Sequence, residues 1–211
     1  MSATKVLNLY AGIGGNRKRW EDVDVTAVEW DEDKAEVYRD HFPDDTVVVS
    51  DAHEYLRKNF DEFDFIWASP PCPTHSQFRR DMHGWDSPVY PDMKLWQEIL
   101  FLEGLHSGYW VVENVDPYYE PLRDGLKRGR HMFWSNFYIP EVEIHADTVK
   151  RQDGSWEDLA EKYGFDVSGY GLDRREKRKV LNNCVNPQLG EHVFDAATGE
   201  RQTTAADWVE S

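Results

Sequence analysis

The chain has 211 residues, 40% of them hydrophobic and 14% aromatic, which suits one folded domain and excludes wholesale disorder. Its 40 Asp and Glu against 24 Lys and Arg give a formal net charge of −16, which argues against holding nucleic acid by general attraction. Cys72 and Cys184 cannot build a disulfide framework and suit a reducing cytoplasm, and no run approaches the roughly 18 apolar residues of a membrane span.

In chain order, KVLNLYA (5–11), DVTAVEW (24–30), TVVVSD (46–51), FDFIWAS (63–69) and GYWVVENV (108–115) read as strands. Their weak polar alternation predicts burial on both faces. Between them, DEDKAEVYRDHF and YPDMKLWQEILFLEGLH carry apolar residues at helical spacing, with Asp31 and Asp92 placed to cap their starts. The alternation predicts an α/β fold with a doubly wound, mostly parallel sheet. RHMFWSNFYI (130–139) reads as one later strand that could run antiparallel. Residues 141–180 are polar and acidic and read as a short insertion within a single domain spanning 1–211. LNNCVNPQLGEHVFDAA (181–197) reads as an apolar helix, followed by a polar tail.

Chemistry gathers at the strand exits. LNLYAGIGGN places Gly12, Gly14 and Gly15 in a turn after the first strand, where glycine lets backbone approach a ligand. The second strand ends in Glu29 and Trp30, a carboxylate for a ribose and an indole for an adenine face. The third ends in Asp51, placed to accept from an adenine amino group. After the fourth comes SPPCP, where Cys72 is either an inert sulfur in a rigid turn or a nucleophile at the carboxyl end of the sheet. In VVENV, Glu113 is either a carboxylate satisfied by local amides or a catalytic acid. The Cys72-x-x-His75 pair is too sparse for zinc, so no metal is expected.

The order of these motifs resembles the DNA cytosine-5 methyltransferases. NLYAGIGG matches their first motif, with Asn8 for the usual Asp and Tyr10 for Phe. AVEWD, SDAHE, ASPPCPTHS and VVENV resemble the second, third, Pro-Cys and Glu-Asn-Val motifs. LKRGR resembles the Gln-x-Arg-x-Arg motif with Leu126 for Gln, and LNNCVNP resembles the closing motif with Asn182 for Gly. The resemblance implies a Rossmann-like methyltransferase fold and S-adenosylmethionine as donor, held by Tyr10, Gly12, Gly14, Gly15, Glu29, Trp30, Asp51, Pro70, Asn183 and Val185. It implies Cys72 as nucleophile toward cytosine C6, Glu113 as acid at N3, Arg130 on the O2 side of the base, and Asn114 as a positioning group. Burial among Val111, Val112 and Val115 is expected to raise the Glu113 pKa so that it can donate.

The partner implied is DNA, its target base rotated out of the duplex. Phosphate contacts fall to Arg79, Arg80, Arg128, Arg174, Arg175 and Arg178, and the stretch from Thr74 to Trp85 is expected to close over the pocket. The interval 141–180 is too short for the family's usual target-recognition domain, which leaves specificity to short context or to a partner protein. RNA cytosine, a different alkyl donor, or a donor- or DNA-binding subunit without activity are the alternatives.

The acidic residues are scattered rather than gathered in one tail, and arginine outnumbers lysine, which fits a protein adapted to concentrated salt. Carboxylate repulsion reaches about 10 Å at 0.1 M salt and about 3 Å at 1 M. An adapted chain should therefore melt at higher temperature in molar sodium chloride than at about 0.1 M. Circular dichroism melts that fall or stay level with added salt would reject the adaptation.

Overall fold

The computed structural model describes residues 3–76, 90–143 and 155–199. Its centre is one seven-stranded sheet. Strand β1 (Thr4–Leu9) lies between β2 (Val23–Glu29) and β4 (Phe65–Ala68), with β3 (Thr46–Val49) beyond β2 and β5 (Tyr109–Val115) beyond β4, all parallel. Strand β7 (His131–Ser135) runs antiparallel to β5, and β6 (Leu126–Arg128) pairs antiparallel with β7 at the edge. All five parallel strands match the segments expected from sequence. The later strand is indeed antiparallel, but it starts at His131 and ends at Ser135. The edge strand β6 went unread because three residues, Leu-Lys-Arg, carry no periodicity.

Alternate side chains of β1 and β4 go to opposite faces, and both faces are covered. Leu7, Leu9, Ile66 and Ala68 pack with Leu56 of α2 (Ala52–Asn59) and Leu95, Ile99 and Leu102 of α3 (Lys94–Leu105). Val6, Phe65 and Trp67 pack with Trp20 and with Leu189, Val193 and Phe194 of α6 (Pro187–Thr198). Such two-sided burial is what a parallel sheet needs. Helix α1 (Glu32–His41) starts as expected, with the Asp31 carboxylate accepting from the Lys34 amide. The expected cap at Asp92 is displaced by one residue: Met93 holds the cap position of α3 without a side-chain bond, and Asp92 accepts from Lys94 N from just before it.

Residues 156–182 form two helices, α4 (Trp156–Tyr163) and α5 (Arg174–Asn182), each begun by a reciprocal capping box, at Ser155 and Asp173. Leu159, Tyr163, Phe165, Val167, Val180 and Leu181 bury against Val37, Tyr38 and Phe42 of the α1 segment and against Ala11 and Ile13 of the glycine turn. Helix α6 starts later than the sequence pattern predicts. Asn186 caps it and Pro187 occupies its first turn, so residues 183–186 form a break between α5 and α6.

That break lies against the glycine turn. A Cβ on Gly15 would sit 2.6 Å from the Val185 carbonyl oxygen and 2.9 Å from the Cys184 Cβ. Gly15 has ordinary helical dihedrals, so only the close approach demands glycine. Gly15→Ala should cost about 1–3 kcal/mol through overpacking, read as a lower urea midpoint. An unchanged midpoint would show that the break yields freely.

Candidate active site

The parallel register aligns the strand exits. Val28, Leu9, Ala68 and Val112 are mutual partners across β2, β1, β4 and β5. One residue further along each strand stand Glu29, Tyr10, Ser69 and Glu113. The chain reverses direction of neighbours at β1, so the crevice opens between the β1 and β4 exits, where ligands bind in such sheets.

On the β4–β5 side, the segment 70–76 is clamped by the exit of β5. Asn114 Nδ2 donates to the Pro70 carbonyl at 2.9 Å and Asn114 Oδ1 accepts from Val115 N at 2.9 Å. Tyr118 N donates to the His75 carbonyl at 3.1 Å, and Ser76 forms a bridge with Pro117. The Cys72 carbonyl accepts from both His75 N and Ser76 N, closing a tight turn. His75 is buried against Tyr119, its Nδ1 2.6 Å from the phenol oxygen, and so serves as a pillar of this turn. Cys72 is half-buried at the turn's apex.

The electrostatics of the pair differ from the sequence expectation. Burial pushes the Glu113 carboxyl up, but His131 and the Ser69 hydroxyl, with the Arg130 charge, more than reverse this and hold it below the ordinary carboxylate range. The expected raised value is thus corrected: the apolar neighbours are present, and donors outweigh them. His131 Nδ1 lies 2.6 Å from Glu113 Oε1. Ser69 in turn accepts from the Trp67 indole at 2.8 Å. The Cys72 thiol is shifted the other way, raised by burial and by the Glu113 charge, with Arg130 partly offsetting both.

The two arginines of the LKRGR stretch separate by role. Arg128 is buried, and its guanidinium donates to the carbonyls of Lys127, Ile139 and Pro140. The expectation that it meets phosphate is corrected: it braces the chain beyond β7. Arg130 is exposed beside the crevice and donates to the carbonyls of Asn182 and Cys184 at 3.0 and 3.3 Å, joining the catalytic side to the break after α5.

On the β1–β2 side, Glu29 accepts from the amides of Gly12, Trp30 and Asp31 at 2.8–3.1 Å. It shapes the glycine turn from beneath. A Cβ on Gly12 would meet nothing within 4 Å, whereas Gly14 faces Phe42 and Tyr38 and Gly15 faces Val185. Gly12, with φ +57°, therefore borders open space, while the other two serve packing. Next to it the Trp30 indole is 78% exposed, an unusual place for so large an apolar ring unless something covers it. Asp51 caps α2 through its Oδ1 and meets Lys94 at 3.5 Å through Oδ2. Asn183 is exposed and Val185 and Pro70 are buried at the same crevice wall.

Tyr10 turns away from the opening. Its φ is +57°, and its hydroxyl donates to Glu98, a fully buried residue of α3 that also meets His53 Nδ1 at 3.2 Å. Burial and the Glu98 charge raise the phenol well above its usual range. Asn8, where the resembled family has Asp, is fully buried and exchanges hydrogen bonds with Asn16 at 2.8 and 3.4 Å. Two amides satisfy each other there without the desolvation cost of a carboxylate. Arg174 and Arg175 are exposed on α5, and Arg178 is half-buried. Arg79 and Arg80, with residues 77–85 of the closing stretch, lie outside the described residues. Sequence reasoning missed Ser69 and His131. His131 follows Arg130 directly, but only the antiparallel β5–β7 register brings it to Glu113.

A central parallel sheet with one antiparallel hairpin at its edge, opening beside a glycine turn, is the fold of S-adenosylmethionine-dependent methyltransferases. Entamoeba histolytica methyltransferase EhMeth superposes with TM-score 0.56 and 11% identity over 93% of this chain and 98% of its own. S. pombe Dnmt2 methyltransferase does so with TM-score 0.59 and 12% identity over 91% and 97%. No curated protein sequence matches the chain. The C-5 cytosine-specific DNA methylase family model matches residues 4–117, more than half of the chain, and the protein belongs to that family. Its methyl donor is S-adenosylmethionine. The open space over Gly12 and the uncovered indole at Trp30 leave room for that donor, while the Glu29 and Asp51 carboxylates already accept from the glycine turn and the start of α2.

The opposed shifts of Cys72 and Glu113 give a direct test. Glu113→Gln removes the charge that helps raise the Cys72 thiol, so alkylation of Cys72 by iodoacetamide at about pH 7 should accelerate severalfold. Cys184, pushed by burial up to about 12, should stay unlabelled in both folded proteins. Peptide mass spectrometry over time reads both rates; an equal Cys72 rate would show that the Glu113 charge does not reach the sulfur.

Proposed function

We propose that the protein transfers a methyl group to C5 of cytosine in DNA through a covalent bond between Cys72 and C6. The observation that carries this reading is the placement of Cys72 and Glu113 at adjacent strand exits, tied together by the Asn114–Pro70 hydrogen bond. Cytosine C5 is a poor nucleophile until C6 is attacked. A thiolate can make that attack and be expelled afterwards, which is why cysteine is needed there.

In this reading the Cys72 thiolate adds to C6, and the C5=C6 electron pair becomes available at C5 while negative charge spreads to N3 and O2. A proton delivered through Glu113 to N3 neutralises that charge. Arg130, turned from the carbonyls of Asn182 and Cys184, meets the O2 side of the ring. S-adenosylmethionine held about the glycine turn would supply the methyl group that C5 takes up, leaving S-adenosylhomocysteine. Solvent water then takes the C5 proton, whose electron pair restores the C5=C6 bond and expels Cys72 as thiolate, while the N3 proton returns to Glu113. Burial and the Glu113 charge raise the Cys72 thiol and the Arg130 charge partly offsets them, so Arg130 favours the thiolate that this reading requires.

The whole chain acts as one domain in this reading, with residues 141–180 standing in for a target reader. The exposed Arg174 and Arg175 and the half-buried Arg178 supply phosphate contacts from α5, whose last residue touches Arg130. A base inside a duplex must be rotated out to reach a half-buried thiol. Cytosine in RNA, already unpaired in loops, is the alternative substrate that so short a reader leaves open.

Incubation with labelled donor and either DNA or RNA, followed by nucleoside analysis, should yield 5-methylcytosine from the DNA arm. Cys72→Ser should abolish product while donor binding by calorimetry stays nearly intact. The unaltered protein should also form a stable adduct with DNA containing 5-fluorocytosine, since fluorine at C5 blocks the proton loss that frees Cys72. An adduct formed equally by Cys72→Ser would overturn the nucleophile, and product from RNA alone would overturn the substrate.

A further inference from the structure

Delivery of a proton by Glu113 raises a difficulty that its surroundings answer. In the free protein the donors around this carboxyl hold it below the ordinary range and so work against its carrying a proton to N3. The donor that lowers it most is His131. It opens β7, is 4% exposed, and places Nδ1 2.6 Å from Glu113 Oε1, with Glu113 itself 7% exposed. A carboxylate only accepts, so Nδ1 carries the hydrogen of this bond. In the β5–β7 ladder Glu113 stands opposite Phe133, and His131 two residues away shares its face as a diagonal neighbour. Two strands of a rigid sheet fix the pair, and no loop has to order to form it.

Three further groups bear on the pair. Ser69, from the β4 exit, donates its hydroxyl to Glu113. Arg130, from the turn before β7, adds a positive charge, and Cys72 lies on the crevice side within reach of both Glu113 and Arg130. Arg130 cannot give up a proton and the Ser69 hydroxyl is too weak an acid to do so. Histidine is the side chain suited to hold and release one near neutral pH.

We infer that His131 and Glu113 act as one proton-carrying pair, in which His131 holds the proton that Glu113 delivers to N3 of the cytosine. This rests on the cytosine reading above and adds to it the source of the proton. In this pair His131 starts as the imidazolium; as the Cys72–C6 bond forms and charge moves toward N3, its Nδ1 proton passes to the Glu113 carboxylate and a proton passes from the carboxyl to N3. His131 is left neutral, Glu113 ionised and the adduct uncharged at N3. When Cys72 is expelled the proton returns along the same path. The imidazole acts through Glu113 and touches no reacting atom, so His131 is a positioning and proton-holding residue.

A proton shared by two coupled groups is lost in a step that belongs to the pair and not to either residue. The test is therefore the alkaline limb of the pH–turnover profile for the unaltered protein and for His131→Gln, which keeps a side-chain N–H donor but cannot hold the proton. The variant's limb should move toward acid by about one pH unit or more, and its deficit should shrink about tenfold for each pH unit of acidification across that window. A purely structural role would lower turnover equally at every pH. A second arm needs no turnover: the unaltered protein should show a strongly downfield imidazole proton by NMR that is absent from Glu113→Gln. An active protein whose profile superimposes on that of His131→Gln, or which lacks that resonance, overturns the pair alone. An unaltered protein that makes no 5-methylcytosine overturns the function and the pair together.

Discussion

Everything in the crevice depends on the register of four parallel strands. Because Val28, Leu9, Ala68 and Val112 lie level, the residues that follow them emerge level too. A slip of one residue in β4 against β1 would send Trp67 and Phe65 to the wrong face and turn Ser69 away from Glu113. The register is held by apolar burial on both faces rather than by the site itself, since Phe65, Ile66, Trp67 and Ala68 are all fully buried. Stability and chemistry are therefore separated along each strand. The apolar residues set the register, and the next one or two residues do the work that the register aims.

Those exit residues oppose one another electrically. A neutral acid would be easiest to obtain if Glu113 stood alone in its apolar pocket, yet an isolated acid would compete poorly for a proton once Cys72 became a thiolate beside it. Surrounding Glu113 with Ser69, His131 and Arg130 gives an ionised carboxylate with its balancing charges close by. The hydrogen bonds from His131 and Ser69 offset part of the cost of burying such a group. The same carboxylate raises the Cys72 thiol, so the two groups that the proposed reading pairs as nucleophile and acid are shifted in opposite directions by one another's surroundings. In a chain of net charge −16, local donors of this kind decide the outcome, because distant carboxylates are screened within about 10 Å.

The sheet was legible from sequence because its five parallel strands are short apolar runs bounded by turn residues, and Gly-x-Gly-Gly, Pro-Cys and Glu-Asn-Val mark three of its exits. Hidden from sequence was everything set by pairing between distant segments. His131 looks like one more polar residue after Arg130 until β7 is laid antiparallel on β5. Arg128 and Arg130 have the same spacing and chemistry in sequence, and only the turn between β6 and β7 buries one and exposes the other. The glycines divide likewise: Gly12 borders open space while Gly14 and Gly15 are required by Phe42 and Val185, neighbours that no local pattern announces. Helices α4 and α5 were missed because their polar composition, typical of a surface loop, hides apolar residues at helical spacing, Leu159 and Tyr163 in one and Val180 and Leu181 in the other.

Those two helices also bear on how so acidic a protein could meet a polyanion. Their apolar side chains are committed to α1 and the glycine turn, which makes them part of the donor side of the core. What α5 offers outward is its basic face, and its far end holds the carbonyl that receives Arg130. At 1.5 Å per residue, Arg174 stands about 12 Å along the helix from Asn182. That span is longer than the screening length at physiological salt, so charges at the two ends of the helix act largely independently of one another. On the proposed reading, recognition then consists of a few short-range contacts fixed by a helix that is itself fixed to the donor pocket. Phosphate position, donor site and Arg130 are thereby linked through one rigid element, and the base pocket is left to supply the remaining discrimination.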